Sequence, residues 1–339
     1  MSSSKVINRT NCSSRESTAL VVGVRSRRKK QFPRVPEELW QTGLYKPVNH
    51  ILQSSGKRLR AELVELSFRL AGGKGEVAND LLEFVEMLHS GSLVIDDIED
   101  GSNMRRGQPT LHQVFGMPLA INTGNWMYFS ALEKLQNLPL KPKQLSQIMG
   151  ETLSAIRRCH EGQALDIAAK IVELDRLHVY STVLAISKFK TGGVTALAAK
   201  LGAAWAGAST EKQDAFHSFG MQLGISLQMQ NDFSELKSGC VAGGRTDDLR
   251  NSRATWPWAW ASRLRSPRRF EELQCLLRDP NEETFAKVAE ALHNETKEVC
   301  EKSTRRKINA AIGFLNPNLN QAESEELNRF VRRIEGYRV

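Results

Sequence analysis

The 339-residue sequence has no apolar run near the roughly 18 to 20 uncharged residues that a membrane-spanning helix needs, so no such helix is expected. It has no CxxC pair. Its five cysteines, Cys12, Cys159, Cys240, Cys275 and Cys300, are odd in number and far apart. That pattern excludes a zinc ribbon and a disulfide framework, and it fits reduced thiols in a cytoplasmic setting. Strand signals are few, and no internal repeat, low-complexity block or shift of composition divides the body. A basic body is lacking too. Of the formal charge of +9, residues 1–30 supply eight basic residues against the single acid Glu16, which leaves 39 basic and 37 acidic residues elsewhere. A nucleic-acid-binding face is therefore not expected.

What is present is a composition with 40% hydrophobic and 25% charged residues, enough for a substantial core. The basic, serine-rich stretch 1–35 reads as a floppy tail. It has some of the composition of an organellar transit peptide but no clear amphipathic period. From about residue 36 to 339 the pattern is helical. In 80–97, Leu81, Leu82, Phe84, Val85, Leu88, Leu93 and Ile95 recur mostly at three- and four-residue steps. The stretches 59–70, 120–135, 145–156, 179–189, 194–206, 215–231, 270–277 and 282–300 repeat that style, with Gly- or Pro-rich breaks between them. The spacing predicts one all-α domain of ten or more helices.

The chemistry concentrates where two of these helices end. Leu93-Val-Ile-Asp-Asp-Ile-Glu-Asp100 closes an apolar run with four acids in five residues. Asp96 and Asp100, four apart, share a helical face, with Asp97 beside them. Hard carboxylates without His or Cys neighbours suit Mg²⁺, although the run taken alone also fits a solvated acidic helix end. Arg105 and Arg106 follow closely, and guanidinium groups pair bidentately with phosphate oxygens. A second helical stretch ends in Asn231, Asp232 and Glu235, repeating the first spacing. Gly56-Lys57-Arg58-Leu59-Arg60 opens another helix with three cations, where free amides already favour anions; an exposed basic turn would look the same. Lys190-Thr191-Gly-Gly193 is a further phosphate-donor candidate.

With GKRLR, the block from Glu86 to Gly107, KTGG and an acidic QxxNDxxE in this order, the chain resembles the trans-isoprenyl diphosphate synthases, nearest the geranylgeranyl diphosphate synthase branch. The resemblance covers about residues 38–260. It implies a single large helical bundle around a central cleft, the isoprenoid synthase type I fold, assembled as a homodimer. It implies condensation of isopentenyl diphosphate with an allylic diphosphate (dimethylallyl, geranyl or farnesyl) on two or three Mg²⁺ ions. By the same resemblance, Asp96, Asp97 and Asp100, with Asn231, Asp232 and Glu235, hold the metal. Lys57, Arg60, His89 and Arg106 bind isopentenyl diphosphate, while Arg105, Lys190, Thr191 and Gln228 contact the allylic partner. Released pyrophosphate then serves as the base. Read without the resemblance, His89 is simply a packed helical histidine.

Two positions depart from the family pattern: Asn231 replaces an aspartate and Arg253 a lysine. They keep in view a class I terpene cyclase and a non-catalytic subunit of a heteromeric synthase. Retention of Lys57, Arg60, His89 and Arg106 argues against the first, and the intact first motif against the second. Gly91 and Ser92, five and four positions before Asp96, are small, so the expected product is C20 or longer. His112, with Phe115, is the expected deeper floor. Trp256, Trp258 and Trp260 read as core or dimer packing. Cys159-His160-Glu161 has no partner at zinc spacing and reads as helix surface or cavity lining, with Gln163 and Asp166 as further cleft candidates.

Overall fold

The computed structural model describes residues 35–53, 58–240 and 247–336. The basic tail, Cys12 and Lys57 lie outside the described residues. The chain begins with α1 (Glu37–Trp40), a π-helical turn (Gln41–Tyr45), α2 (Lys46–Gln53), α3 (Leu59–Leu70) and α4 (Asn79–Glu99). A two-stranded ribbon, β1 (Met104–Arg105) and β2 (Gln108–Pro109), leads to α5 (Leu111–Phe115), α6 (Met117–Gln136), α7 (Pro142–Ala168) and α8 (Arg176–Ser187). A second π-helical turn (Lys188–Gly192) precedes α9 (Gly193–Trp205), α10 (Thr210–Gly239), α11 (Asp247–Arg250) and α12 (Trp256–Leu264). The chain closes with α13 (Pro267–Leu276), α14 (Glu282–Leu315), a 3₁₀ turn (Asn316–Asn318) and α15 (Gln321–Gly336).

Local chemistry sets several helix starts. Asp175 accepts from the Leu177 amide at 2.7 Å ahead of α8, and Asn281 and Thr284 form a reciprocal capping box at the start of α14. Proline occupies the first turn of α7, α12 and α13, where its missing N–H costs nothing. One core packs α3, α4, α9, α10 and α15 through Leu63, Phe84, Leu201, Phe216, Phe219 and Leu327. A second joins α8, α10, α12, α13 and α14 through Val183, Ile225, Trp256, Trp258, Phe270 and Leu292. All three tryptophans of α12 are buried in this second core, which settles their role as packing.

α10 lies against α9 at backbone distance. A Cβ on Gly220 would sit 2.5 Å from the Thr195 carbonyl oxygen, and one on Gly224 would sit 2.7 Å from the Gly192 Cα. These two glycines, a turn apart, bring the middle of α10 to the second π-helical turn. The ribbon was not expected from the sequence. Its register, Met104 opposite Pro109 and Arg105 opposite Gln108, leaves Arg106-Gly107 as a two-residue turn. Both turn residues have positive φ, 52° and 76°, the requirement of a type I′ hairpin.

Candidate functional site

The last turn of α4 carries Asp96, Asp97 and Glu99, with Asp100 as its C-cap. Acids here oppose the helix dipole, an arrangement that costs roughly 0.3 to 1 kcal/mol for each exposed charge unless cations answer it. The protein supplies three. Lys190 Nζ stands 2.9 Å from Asp96 and 2.7 Å from Asp166, and Arg105 reaches Asp96 at 3.5 Å. Arg253, 4% exposed, donates to Asp100 at 2.5 Å and to the Asp166 carbonyl at 2.7 Å. Burial works against the ionised form of Asp96, but Lys190, Arg105 and the Gln163 amide together hold its carboxyl below the usual range. Asp100 goes the other way, raised by burial and by the charge of Asp96.

Asp97 does not open into the cleft. One residue on from Asp96, it points about 100° round the helix and is 2% exposed, held by Arg105. It is therefore removed from the expected metal ligands and placed as the anchor of Arg105.

Lys190 owes its position to Gly162 of α7. A Cβ there would meet the Phe189 Cβ at 2.7 Å and the Lys190 amide nitrogen at 2.9 Å. The π-helical turn can thus lie on α7 and lower the lysine between Asp96 and Asp166. Such π turns recur at functional sites. Thr191, in the same turn, does not itself line the cleft; its hydroxyl donates to the Gln228 side-chain oxygen. Gln228 Nε2 in turn donates to Asp232 at 2.7 Å, while the Trp256 amide donates to the other Asp232 oxygen at 2.9 Å. Burial raises the Asp232 carboxyl to about 7, with Asp166 and Glu235 adding to it against these two donors. Asp248, whose amide donates to Glu235 at 2.8 Å, is raised well above the carboxylate range by burial and by the surrounding acids.

The same cleft is lined by a cationic group of Arg58, Arg60 and Arg106 with Glu86 and His89. Arg58 caps α3 in a left-handed conformation, φ 48°, and the Glu86 side chain accepts from the Ala61 amide at 2.9 Å, fixing the start of that helix. Burial first, then Arg60 and Arg106, keeps His89 far below the ordinary imidazole range. It is thus a neutral donor beside three arginines.

This one cleft, of about 720 Å³, is lined by Asp96, Asp100 and Arg105 from the end of α4 and the ribbon, by Gln228, Asn231, Asp232 and Glu235 from α10, and by the Arg58, Arg60, His89 and Arg106 group. A smaller apolar cavity opens beside it, sharing His89 and lined by Leu88, Ser92, Tyr128, Cys159, His160 and Leu197. Gly91 and His112 line neither. Gly91 is buried in the α4–α6 contact, where a Cβ would sit 3.1 Å from the Gly124 oxygen, and His112 belongs to α5 outside both cavities. Leu88 and Ser92 share the cavity face at i, i+4, so Gly91 falls on the adjoining face. The cavity lining includes instead the edge-on pair of Tyr128 and His160, 5.6 Å between ring centroids. Gln163 and Asp166, one turn apart, do reach the cleft acids, and Asp248 lies there as the charge downstream of the second motif suggests, whereas Tyr128 carried no spacing that marked it.

The donor set suits a hard cation. Among the described residues no three carboxylate, imidazole or thiol groups converge on one point. An ion would take one or two carboxylates from α4 or α10 and complete its shell with substrate oxygens and water, the habit of Mg²⁺. Burial first, and neighbouring acids after it, raise the carboxyls of Asp100, Asp232 and Asp248, and a cation beside them would favour their ionised form.

A sequence profile described as polyprenyl synthetase matches residues 41–294. The chain is 30% identical to a geranylgeranyl pyrophosphate synthase from Eremothecium gossypii over 69% of its own length and 75% of the relative's. It is 29% identical to a geranylgeranyl pyrophosphate synthase from Penicillium janthinellum, where the match spans 62% of this chain and only 56% of the relative. The chain thus spans little more than half the length of some curated relatives it matches. In fold it is similar to a polyprenyl synthase from Caulobacter crescentus complexed with calcium and isoprenyl diphosphate, with a TM-score of 0.75, 24% identity, and coverage of 87% of this chain and 89% of the other. Among the described residues, no helix is long and apolar enough to cross a membrane.

Proposed function

The chain belongs to the polyprenyl synthetase family, and from that premise we propose that it is a Mg²⁺-dependent prenyltransferase joining isopentenyl diphosphate to an allylic diphosphate. The observation that carries the reading is the joint opening of Asp96 and Asp100 from α4, Asp232 and Glu235 from α10, and Arg60 and Arg106 into one cleft. Two acidic helix segments suit a metal-held diphosphate, and the cationic group suits a second diphosphate that needs no metal. The Caulobacter neighbour, bound to calcium and isoprenyl diphosphate, supports a site of this class.

Asp96 and Asp100 on one side, with Asn231, Asp232 and Glu235 on the other, would hold two or three Mg²⁺ ions. Bound there, Mg²⁺ supplies Lewis-acid neutralisation of the departing diphosphate. Arg105, Lys190 and Arg253 add fixed positive charge on the same side, placed before the reaction rather than recruited during it. Arg60, Arg106 and neutral His89 take the isopentenyl diphosphate. Thr191 and Gln228 set the orientation of Asp232. Leu93, Val183 and Ile186 give the cleft dry walls that shield the allylic carbon from water.

Ser92 lines the side cavity with Tyr128 and His160, and its small side chain one turn before Asp96 supports a C20 product. Residues 36–339 form one catalytic domain in this reading, working in the cytoplasm. Met117, Ile121 and Phe129 are exposed on α6 and Leu153 on α7, apolar surface that supports a homodimer.

The test is incubation of purified protein with Mg²⁺, farnesyl diphosphate and isopentenyl diphosphate, with mass spectrometry of the dephosphorylated products. Geranylgeraniol formed only when isopentenyl diphosphate is present is the expected result. A hydrocarbon or cyclic alcohol formed from an allylic diphosphate alone would make the protein a cyclase, and no turnover would overturn the catalytic reading.

A further inference from the structure

The last helix reaches the cleft. Leu327, Phe330, Val331 and Ile334 of α15 recur at i, i+3, i+4 and i+7 and are all buried, Ile334 to 3% exposure. Such a stripe seats a helix but does not say where. Two ion pairs do: Glu326 accepts from Arg69 at 2.7 Å, and Arg333 pairs with Glu62. Between these pairs α15 advances seven residues while α3 retreats seven, so the two helices run antiparallel in register. The next step places Ile334 beside the start of α3, where Leu59 and Arg60 stand. Ile334 accordingly lines the main cleft together with Ile51, Leu59 and the cationic group of Arg58, Arg60 and Arg106.

We propose that α15 forms the wall of the isopentenyl end of the cleft, with Ile334 as a specificity-determining residue and the Arg333–Glu62 pair as the positioning contact that keeps it there. This rests on the prenyltransferase reading above. An apolar side chain lining the cleft beside the start of α3 excludes water from the neighbourhood of Arg58 and Arg60, and a charge-assisted hydrogen bond to a diphosphate is stronger where water is excluded. Ile334 is tied through α15 to α3, whose start carries Arg58 and Arg60, whereas the acids stand on the last turn of α4 and on α10, so the effect is selective. Ile334 governs how tightly the metal-free diphosphate is held and leaves the metal-held one alone.

The test compares the wild type with Ile334→Ala, Ile334→Val and Arg333→Ala, by calorimetric titration with isopentenyl diphosphate and by steady-state kinetics with each substrate varied. For Ile334→Ala the isopentenyl dissociation constant and KM should rise about tenfold while kcat and the KM for farnesyl diphosphate stay within about twofold, the signature of lost uniform binding. Ile334→Val, which keeps the packing, should shift the same way by about twofold, and Arg333→Ala by several-fold. Reversing the ion pair with Glu62→Arg and Arg333→Glu together should restore affinity, which a loss of bulk packing would not allow. Unchanged isopentenyl affinity in Ile334→Ala would overturn the proposal, as would equal weakening of both substrates in step with lowered thermal stability. Should the wild type prove inactive, the titrations still decide. Binding that depends on Ile334 sustains the inference while the catalytic reading fails, and absence of isopentenyl diphosphate binding overturns both.

Discussion

Arg105 Nε donates to both carboxylate oxygens of Asp97, at 2.7 and 2.8 Å, so the middle acid of the first motif is spent inside the protein while its neighbours face the cleft. In the proposed function the motif therefore supplies two ligands and an anchor. Asp96→Asn should lower kcat/KM on the order of a hundredfold or more, as loss of preorganised charge at a reacting diphosphate does, and should raise the Mg²⁺ concentration needed for half activity. Asp97→Asn should leave that Mg²⁺ requirement within about twofold yet lower stability by about 1 to 3 kcal/mol, because a largely buried guanidinium loses its nearer carboxylate and keeps only Asp96. Mg²⁺ titrations of activity, set beside urea denaturation, separate the two. Equal Mg²⁺ shifts in both variants would return Asp97 to the ligand set.

Gly162 is a packing residue with a catalytic consequence. A methyl group there would lie 2.7 Å from the Phe189 Cβ and 2.9 Å from the Lys190 amide nitrogen, and part of that contact is backbone that cannot swing aside. Gly162→Ala should push the π-helical turn off α7 and lift Lys190 from Asp96 and Asp166. The expected cost is about 1 to 3 kcal/mol of stability and at least about tenfold in kcat/KM. A crystal structure of the variant with Lys190 still between both acids would refute this account of its placement.

The parts of the site that were legible in the sequence are those fixed by short spacing on one helix. Asp96 with Asp100, and Asp232 with Glu235, follow from helical period alone, as does Gln163 with Asp166. What the sequence did not disclose depends on partners far along the chain or on backbone that departs from the α-helix. Asp97 looks equivalent to Asp96 until the ribbon delivers Arg105 to it. That ribbon was itself hidden, because a two-residue type I′ turn with arginine at its first position carries only half of the usual turn signal. The π-helical turn that sets Lys190 has no periodic mark. Helix rotation explains why Gly91 packs on α6 while Ser92 meets the side cavity, and the contact of the Asp248 amide with Glu235, though not the charge itself, needs α11 in place.

His89 should give stability a pH dependence of its own. Burial and the nearby Arg60 and Arg106 hold it well below its ordinary value of 6.5. Below that pH the unfolded chain takes up a proton that the folded protein refuses. The unfolded state then binds more protons, so stability falls as pH drops through this range, by up to about 1.4 kcal/mol per unit. His89→Gln removes the term. Between pH 7.5 and 5.5, the stability of the wild type relative to this variant should decline by about 1 kcal/mol, measured by urea denaturation at both values. Parallel pH profiles would mean that the folded protein accommodates the imidazolium.

Product length should respond to the residues that line the side cavity. Ser92 lines it one turn before Asp96, and its hydroxyl donates to the His89 carbonyl at 2.7 Å, leaving little bulk in the path of a chain. Ser92→Phe adds a ring there and should shorten the main product from C20 to C15. Tyr128 lines the same cavity, packed edge-on against His160, which is itself exposed. Tyr128→Ala removes the larger ring and should extend the product beyond C20. His112→Ala, which alters a residue outside both cavities, should leave the distribution unchanged. Each additional C5 unit buries five more carbons, worth about 0.8 kcal/mol apiece if the space is dry, so a blocked or opened wall changes the balance between extension and release decisively. Mass spectrometry of dephosphorylated products, at fixed substrate ratio, reads all three. An unaltered C20 product from both Ser92→Phe and Tyr128→Ala would remove the side cavity from the path of the chain, and a shift in His112→Ala would restore the floor first expected from the sequence.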